Sequence, residues 1–273
     1  ELDPKRVVGI GGHFVVQVGA KTQNLIAAGA VGVEFDRQER RVVDLDATLL
    51  HRRGQPVDAV LVAAEDRGEK PHQRFAANGS VVGMRKVRGS GGRGLDFALS
   101  LNKAYGTHDV EDVIVATDYV IGLGYVDPDR LGVGGWSSGG TLTNVVITKT
   151  DRFAGAVSGA SVGLYTTTYG HDPYVLWWHT EFGPPWKNRD LWDSISPFMD
   201  VENITTPTLF IGGENDWNQP IIHSEQMYQA MKHLGREASL VVYPDAYHGI
   251  RRPVYQKDLL ERFLNWFDKY VKQ

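Results

Sequence analysis

Cysteine is absent from the 273 residues. No disulfide, thiolate nucleophile or zinc–thiolate cage can form. A nucleophile must therefore be Ser, Thr, Asp, Glu, Lys or a metal-bound water. The lack of Cys is compatible with an oxidising or a reducing compartment. No apolar run approaches the ~20 residues that a membrane span needs. Basic residues are not in excess: Lys plus Arg is 29 against 33 Asp plus Glu, a formal charge of −4. Nucleic acid and anionic membrane surfaces call for a basic stripe, so neither is an expected partner. No H-E-x-x-H occurs and the nine His are scattered, so no metal is expected. The chain starts at Glu1 with no apolar leader. That reads as a processed or trimmed chain and favours a cytoplasmic location. Homo-oligomerisation is left open.

What is present is ordinary for a globular chain: 42% hydrophobic and 23% charged residues. The length fits one large α/β domain or two small ones, and a chain of this size buries about 75% of its unfolded surface. Short β-rich runs at Val15–Val18, Val31–Phe35 and Arg41–Leu45 read as antiparallel edge strands. From residue 58 the pattern changes. Ala59–Ala64 and Ser80–Met84 are continuous apolar runs, as strands buried on both faces require. Residues 95–104 read as helical. Asp109–Leu123 is a clearer helix, with Val110, Val113, Ile114, Thr117 and Val120 on one stripe and Asp109 placed to cap it. Then follow a strand at Arg130–Gly134, a helix over 138–149, a strand at Ala154–Ser158 and an aromatic, loop-rich segment over 161–200. A strand at Pro207–Gly212, a helix at Pro220–Leu234, a strand at Ser239–Tyr243 and a helix at Tyr255–Val271 complete the chain. Alternating strands and helices imply right-handed crossovers and a mostly parallel central sheet flanked by helices.

The 31 glycines are clustered, and one cluster carries the main chemical signal. Gly135-Trp136-Ser137-Ser138-Gly139 is a G-x-S-x-G pentapeptide. Abundant glycine makes the pentapeptide weak by itself. Here it follows an apolar strand and precedes a helix, the setting of a sharp turn that exposes a strained serine above a sheet. A serine hydroxyl needs a base to take its proton. In this fold the acid and then the His follow the Ser along the chain. His223 and His233 fall inside a helix and read as surface residues. His248 follows the strand 239–243, at the strand ends where parallel sheets place their sites. Asp216, in Glu214-Asn215-Asp216 after the preceding strand, is the chosen acid, with Glu214 and Asp245 as rivals. The Ser138 backbone N–H supplies one oxyanion donor by position. A second is expected in the loop Ala64–Gly68, with Ala64 and Glu65 foremost.

From about residue 75 onward the chain resembles the catalytic domain of the prolyl oligopeptidase (S9) family of serine peptidases, especially its acylaminoacyl-peptidase branch. The carriers are Arg88-Gly-Ser-Gly-Gly92, Asp109-Val-Glu-Asp112, Val126-Asp-Pro-Asp-Arg130, Gly135-Trp-Ser-Ser-Gly-Gly140, Glu181-Phe-Gly-Pro-Pro-Trp186, Ser196-Pro197, Pro207-Thr-Leu-Phe-Ile-Gly212, Glu214-Asn-Asp216 and His248-Gly249. The resemblance implies an α/β-hydrolase fold in a single domain over 1–273, and a triad at Ser137, Asp216 and His248. Two features depart from it. Val62-Ala-Ala-Glu-Asp-Arg-Gly68 stands where the family usually has a His-Gly-Gly-Pro-like turn. Only about 56 residues precede the core, too few for the family's gating β-propeller, and residues 1–56 could be a remnant of one.

Four Trp lie between Ser137 and Asp216, and two more abut the pair. Trp136, Trp177, Trp178, Trp186 and Trp217 are the candidates for an apolar acyl or aryl pocket, against burial beneath loops. Gly89-Ser-Gly91-Gly-Arg-Gly94 also matches a dinucleotide fingerprint, with Asp112 or Asp118 as the ribose acid. Both acids sit in a helical stripe, so no cofactor is expected. The expected function is a serine hydrolase acting on a small-molecule ester or short peptide through an acyl-enzyme. The absent propeller leans this toward a carboxylesterase. The alternatives are an S9-type exopeptidase or acylaminoacyl peptidase and, more distantly, a non-catalytic binding protein on a hydrolase scaffold.

Overall fold

The computed structural model describes residues 87–272, apart from 92, 123 and 125, and the backbone of five earlier strands. Those strands are β1 (Phe14–Val18), β2 (Val31–Asp36), β3 (Arg41–Leu45), β4 (Asp58–Ala63) and β5 (Ser80–Arg85). After them come β6 (Leu131–Trp136), β7 (Gly155–Gly159), β8 (Thr208–Gly213) and β9 (Ala238–Tyr243). Among the described residues these nine form one sheet in the order β3-β2-β5-β1-β4-β6-β7-β8-β9. β4, β6, β7, β8 and β9 run parallel, each bonded to the next. β2 pairs antiparallel with β3, and β1 with β5 and β6. β1 therefore lies inside the sheet, not at the edge expected for it. Two-residue alternation reports which face a side chain takes, not which strand lies beside it.

The helices are α1 (Leu95–Leu99), α2 (His108–Gly122), α3 (Ser138–Lys149), α4 (Tyr165–Thr168), α5 (Val175–Phe182), α6 (Arg189–Ser194), α7 (Ile222–His233) and α8 (Pro253–Tyr270). Successive residues of a strand face opposite sides. A Cβ on Gly134 would touch Phe267 of α8, whereas one on Gly135 would collide with Gly139 of α3. So α3 and α8 cover opposite faces of β6. Every residue of β7 and β8 is buried, as a doubly covered sheet demands. Val133, Val146, Ile147, Phe210 and Phe267 fill the centre at 1% exposure or less. Each such side chain contributes about 1.5–3 kcal/mol of burial.

Three local expectations change. The helix read over 95–104 ends at Leu99, and Lys103 takes a positive φ of 56° in the turn that follows. Asp109 lies inside α2, not at its cap. Its carboxylate accepts the Gly106 and Val110 N–H groups, and burial pushes its pKa up. His223, read as a surface residue, is fully buried, while His233 is exposed. His223, Met227 and Met231 lie four residues apart on the inner stripe of α7, and all three have no exposure. The spacing held that signal; residue type alone hid it.

Residues 161–200 build a second, smaller core. Val162, Tyr165, Trp178, Phe182, Trp192 and Ile195 form its buried centre. Trp178 stacks on Phe182 at 5.6 Å, and Phe182 meets Trp192 edge-on at 5.7 Å. The Trp178 indole N–H donates to the Asp172 carboxylate, so its polar edge is satisfied below the surface. Asp112 is bound by the Arg88 main-chain N–H at 2.7 Å and by its guanidinium at 3.1 Å. Asp118 pairs with Arg152 at 2.7 Å. Both candidate ribose acids thus have structural partners within the chain.

Neither ring nitrogen of His223 has a hydrogen-bond partner. Burial, with nearby His171, lowers its pKa to about 4. An unfolded imidazole takes its proton near pH 6.5. Between those values the unfolded chain binds more protons, so stability falls as pH falls. The contribution is fully present above about pH 6.5 and is lost toward pH 4, a difference on the order of 3 kcal/mol. Urea unfolding at pH 7, 5 and 4 should show the wild type losing more stability than His223→Leu, by about that amount.

Candidate active site

Ser137 occupies the turn between β6 and α3, with φ 60° and ψ −125°. Such a conformation costs a non-glycine residue on the order of 1–3 kcal/mol and needs support from its surroundings. The support is dense. The Ser137 N–H donates to the Gly159 carbonyl at 2.9 Å, and the Ser137 carbonyl accepts the Thr141 N–H at 2.9 Å. The Thr141 hydroxyl also reaches that carbonyl, at 3.3 Å, and accepts the Val162 N–H at 2.9 Å. Glycines let the segments close in. A Cβ on Gly135 would stand 2.8 Å from the Gly139 Cα, and one on Gly140 would overlap the Gly159 carbonyl.

His248 lies in the loop between β9 and α8. Its Nε2 is 2.9 Å from the Ser137 hydroxyl, and its Nδ1 is 2.8 Å from Asp216 Oδ2. The Asp216 carboxylate is fully buried. Its other oxygen accepts the N–H groups of Asn218 and Gln219, each at 2.8 Å. One carboxylate thus closes its own Asx-type turn and faces the imidazole. The rival acids turn elsewhere. Glu214 accepts the Asp245 N–H at 3.0 Å, and Asp245 faces Arg252 at 3.5 Å. Backbone bonds also tie the loops together, from Glu214 N–H to the Tyr243 carbonyl and from Asn215 N–H to the Ala246 carbonyl. Gly213 has no side chain because the Ala246 and Tyr247 carbonyls fill that space.

The structure brings Ser137, Asp216 and His248 together; the other expected site residues divide. Ser138 opens α3, in the first turn, where main-chain N–H groups have no partner within the helix. Ala64, Glu65 and the rest of the loop to Gly68 lie outside the described residues. The half-buried Trp136 packs on Gly159 and donates its indole N–H to the His248 carbonyl at 2.9 Å. Trp178 belongs to the second core, and Trp177 packs against it at 4.6 Å. Burial of Trp178 corrects the pocket role expected for it. Trp186 is exposed and sits edge-on to Tyr169 at 5.7 Å. Trp217 is 64% exposed and faces His171 at 5.6 Å, beside a cavity of about 120 Å³ that Asp216, Pro220 and Ile221 also line. Tyr174, one of the aromatic residues of the 161–200 segment, is joined to Asn218, which the sequence did not single out, when the phenol donates to the Asn218 side-chain carbonyl. That bond ties the aromatic segment to the acid loop. Among the described residues no group of three or more His, Cys, Asp or Glu could hold a metal ion.

A parallel sheet covered on both faces, with a strained serine at the end of β6 and a histidine after β9, defines the α/β-hydrolase class. Within it, the sequence pattern of the prolyl oligopeptidase family, peptidase S9, matches residues 70–273, and the chain belongs to that family. It is 34% identical over 206 residues to the uncharacterized peptidase YuxL of Bacillus subtilis, covering 73% of this chain and 31% of that one. It is 28% identical over 294 residues to the acylamino-acid-releasing enzyme of Arabidopsis thaliana, covering 94% and 38%. The solved acylaminoacyl peptidase of Pyrococcus horikoshii superposes with a TM-score of 0.70 at 28% identity, over 74% of this chain and 34% of that one. The chain spans roughly a third of the length of the curated relatives it matches. The esterase lean is the less supported reading: it rests on where the numbered chain begins, which carries no weight for a chain so much shorter than its relatives, and the Bacillus and Pyrococcus proteins are named as peptidases.

Gly213→Ala should press on the Ala246 and Tyr247 carbonyls and displace His248. Overpacking of this kind costs about 1–3 kcal/mol. The expected result is a matching loss in urea stability and at least a roughly tenfold slower reaction of Ser137 with a fluorophosphonate.

Proposed function

We propose that the chain is the catalytic part of a serine peptidase that cleaves short or N-acylated peptides through an acyl-enzyme on Ser137. The observation that carries this is the continuous relay Ser137–His248–Asp216, at 2.9 and 2.8 Å. His248 Nε2 takes the Oγ proton as Oγ attacks the scissile carbonyl carbon. The carbonyl oxygen becomes an oxyanion, met by the Ser138 N–H. The imidazolium returns its proton to the departing amine, leaving an ester on Ser137. Water then repeats the sequence, releasing the acid and restoring the hydroxyl. Asp216 holds the imidazole with Nε2 toward the serine and stabilises its charged form. Membership in the S9 family and the names of the relatives support a peptide over an ester as the substrate.

The test compares wild type with Ser137→Ala. A fluorophosphonate should label only the wild type, and turnover should fall by about 10³-fold or more in the variant. Equal labelling of Ser137→Ala would remove the mechanism. Acyl-aminoacyl anilides, aminoacyl anilides and p-nitrophenyl esters then separate the substrate classes. Activated esters react readily with any exposed nucleophile, so the informative result is anilide cleavage, expected at a kcat/KM comparable to that for the esters. Ester turnover without anilide turnover would restore the carboxylesterase reading.

A further inference from the structure

The main chain of the loop carrying His248 is anchored on two sides, and the two anchors differ in kind. On the acid side, backbone and side-chain bonds from Glu214, Asn215 and Asp245 hold residues 243–246. None of these bonds reaches residue 248 itself. On the serine side, the Trp136 indole N–H donates to the His248 carbonyl at 2.9 Å. Trp136 is covalently joined to Ser137. The result is a closed circuit. It runs from the Ser137 main chain to Trp136, through the indole N–H to the His248 carbonyl, out along the imidazole, and back across 2.9 Å to the Ser137 hydroxyl.

The ring cannot swing freely. It lies over Gly159, where a Cβ would come within 2.8 Å of Cζ3. Gly159 is also the residue whose carbonyl accepts the Ser137 N–H. β6 and β7 are in register here, with Trp136 opposite Gly159. The strand pairing that supports the nucleophile thus also sets the plane of the indole.

We infer that Trp136 is a positioning residue for the base: its indole N–H fixes the His248 main chain relative to Ser137, so that Nε2 stays within proton-transfer reach of the hydroxyl. This goes beyond a pocket-wall role for the ring and rests on the triad reading above. Loss of the N–H should slow every step that uses His248 while leaving substrate affinity nearly unchanged.

Two variants separate the donor from the ring. Trp136→Phe keeps an aromatic ring without the N–H. Site-specific 3-benzothienylalanine in place of Trp136 keeps the indole's size and shape and lacks only the donor, so it guards against a folding defect. The probes are diisopropyl fluorophosphate, too small to depend on an extended pocket, and the best anilide substrate of the wild type. In both variants the second-order rate of Ser137 labelling and kcat should fall by about tenfold, with KM within about twofold. Benzothienylalanine protein that matches wild type in labelling and kcat overturns the inference, whatever Trp136→Phe does. A raised KM with unchanged labelling also overturns it, in favour of a pocket wall. If wild type is labelled and Ser137→Ala is not, such results sink the inference alone. If wild type itself is not labelled, the triad reading falls and the inference falls with it.

Discussion

The main chain at Ser137 is held where a residue with a side chain resists being held, and the surrounding structure is organised around that. β6 must end and α3 begin within a single residue. This requires α3 to approach the strand so closely that Gly135 and Gly140 have no room for a Cβ. It also requires β7 beside β6, because the Gly159 carbonyl takes the Ser137 N–H. Phe267 of α8 lies against the opposite face of β6. The strain at one residue is distributed over two helices and two strands, all with buried contacts, and this is what projects the hydroxyl into the open above the sheet.

Asp216 and His248 are set by a different device, a mutual clasp of the loops after β8 and β9. Asp216 uses one oxygen to organise its own loop and the other to face His248. Glu214 and Asn215 grip the far loop, and Gly213 leaves room for that loop's carbonyls. Through Tyr174 and Asn218, the aromatic segment over 161–200 is fastened to the same clasp. Changes in that segment can thus reach the Asp216 loop without touching Ser137.

Much of this was readable beforehand, for identifiable reasons. The parallel strands β4 to β9 announce themselves as short apolar runs, and β7 and β8 are buried along their whole length, where little but apolar or small residues fits. Ser137, Asp216 and His248 follow from chain order and from the ends of successive strands, and the structure brings the three within hydrogen-bond distance. What local pattern could not supply was the third dimension. Asp216 and Glu214 look alike in sequence; only the path of the loop turns one toward the imidazole and the other toward a backbone amide. Trp178 and Trp217 are equally aromatic on paper, yet one ends beneath a second core and the other at the rim of a cavity. His223 shows the opposite failure. Its four-residue spacing from Met227 and Met231 points inward, whereas its titratable side chain points by type to the surface. The place of β1 inside the sheet is not legible, because alternation is silent about neighbours.

Gly159 joins several of these demands in one residue outside the trio of Ser137, Asp216 and His248. Its carbonyl supports the Ser137 main chain, its missing side chain admits the Trp136 ring, and it hydrogen-bonds into the sheet between β6 and β8. A chain could therefore retain the pentapeptide, the aspartate and the histidine and still be misaligned, through a single methyl group on the neighbouring strand. Membership of this family can be read from the polar residues, whereas competence depends also on a space that a motif search does not register.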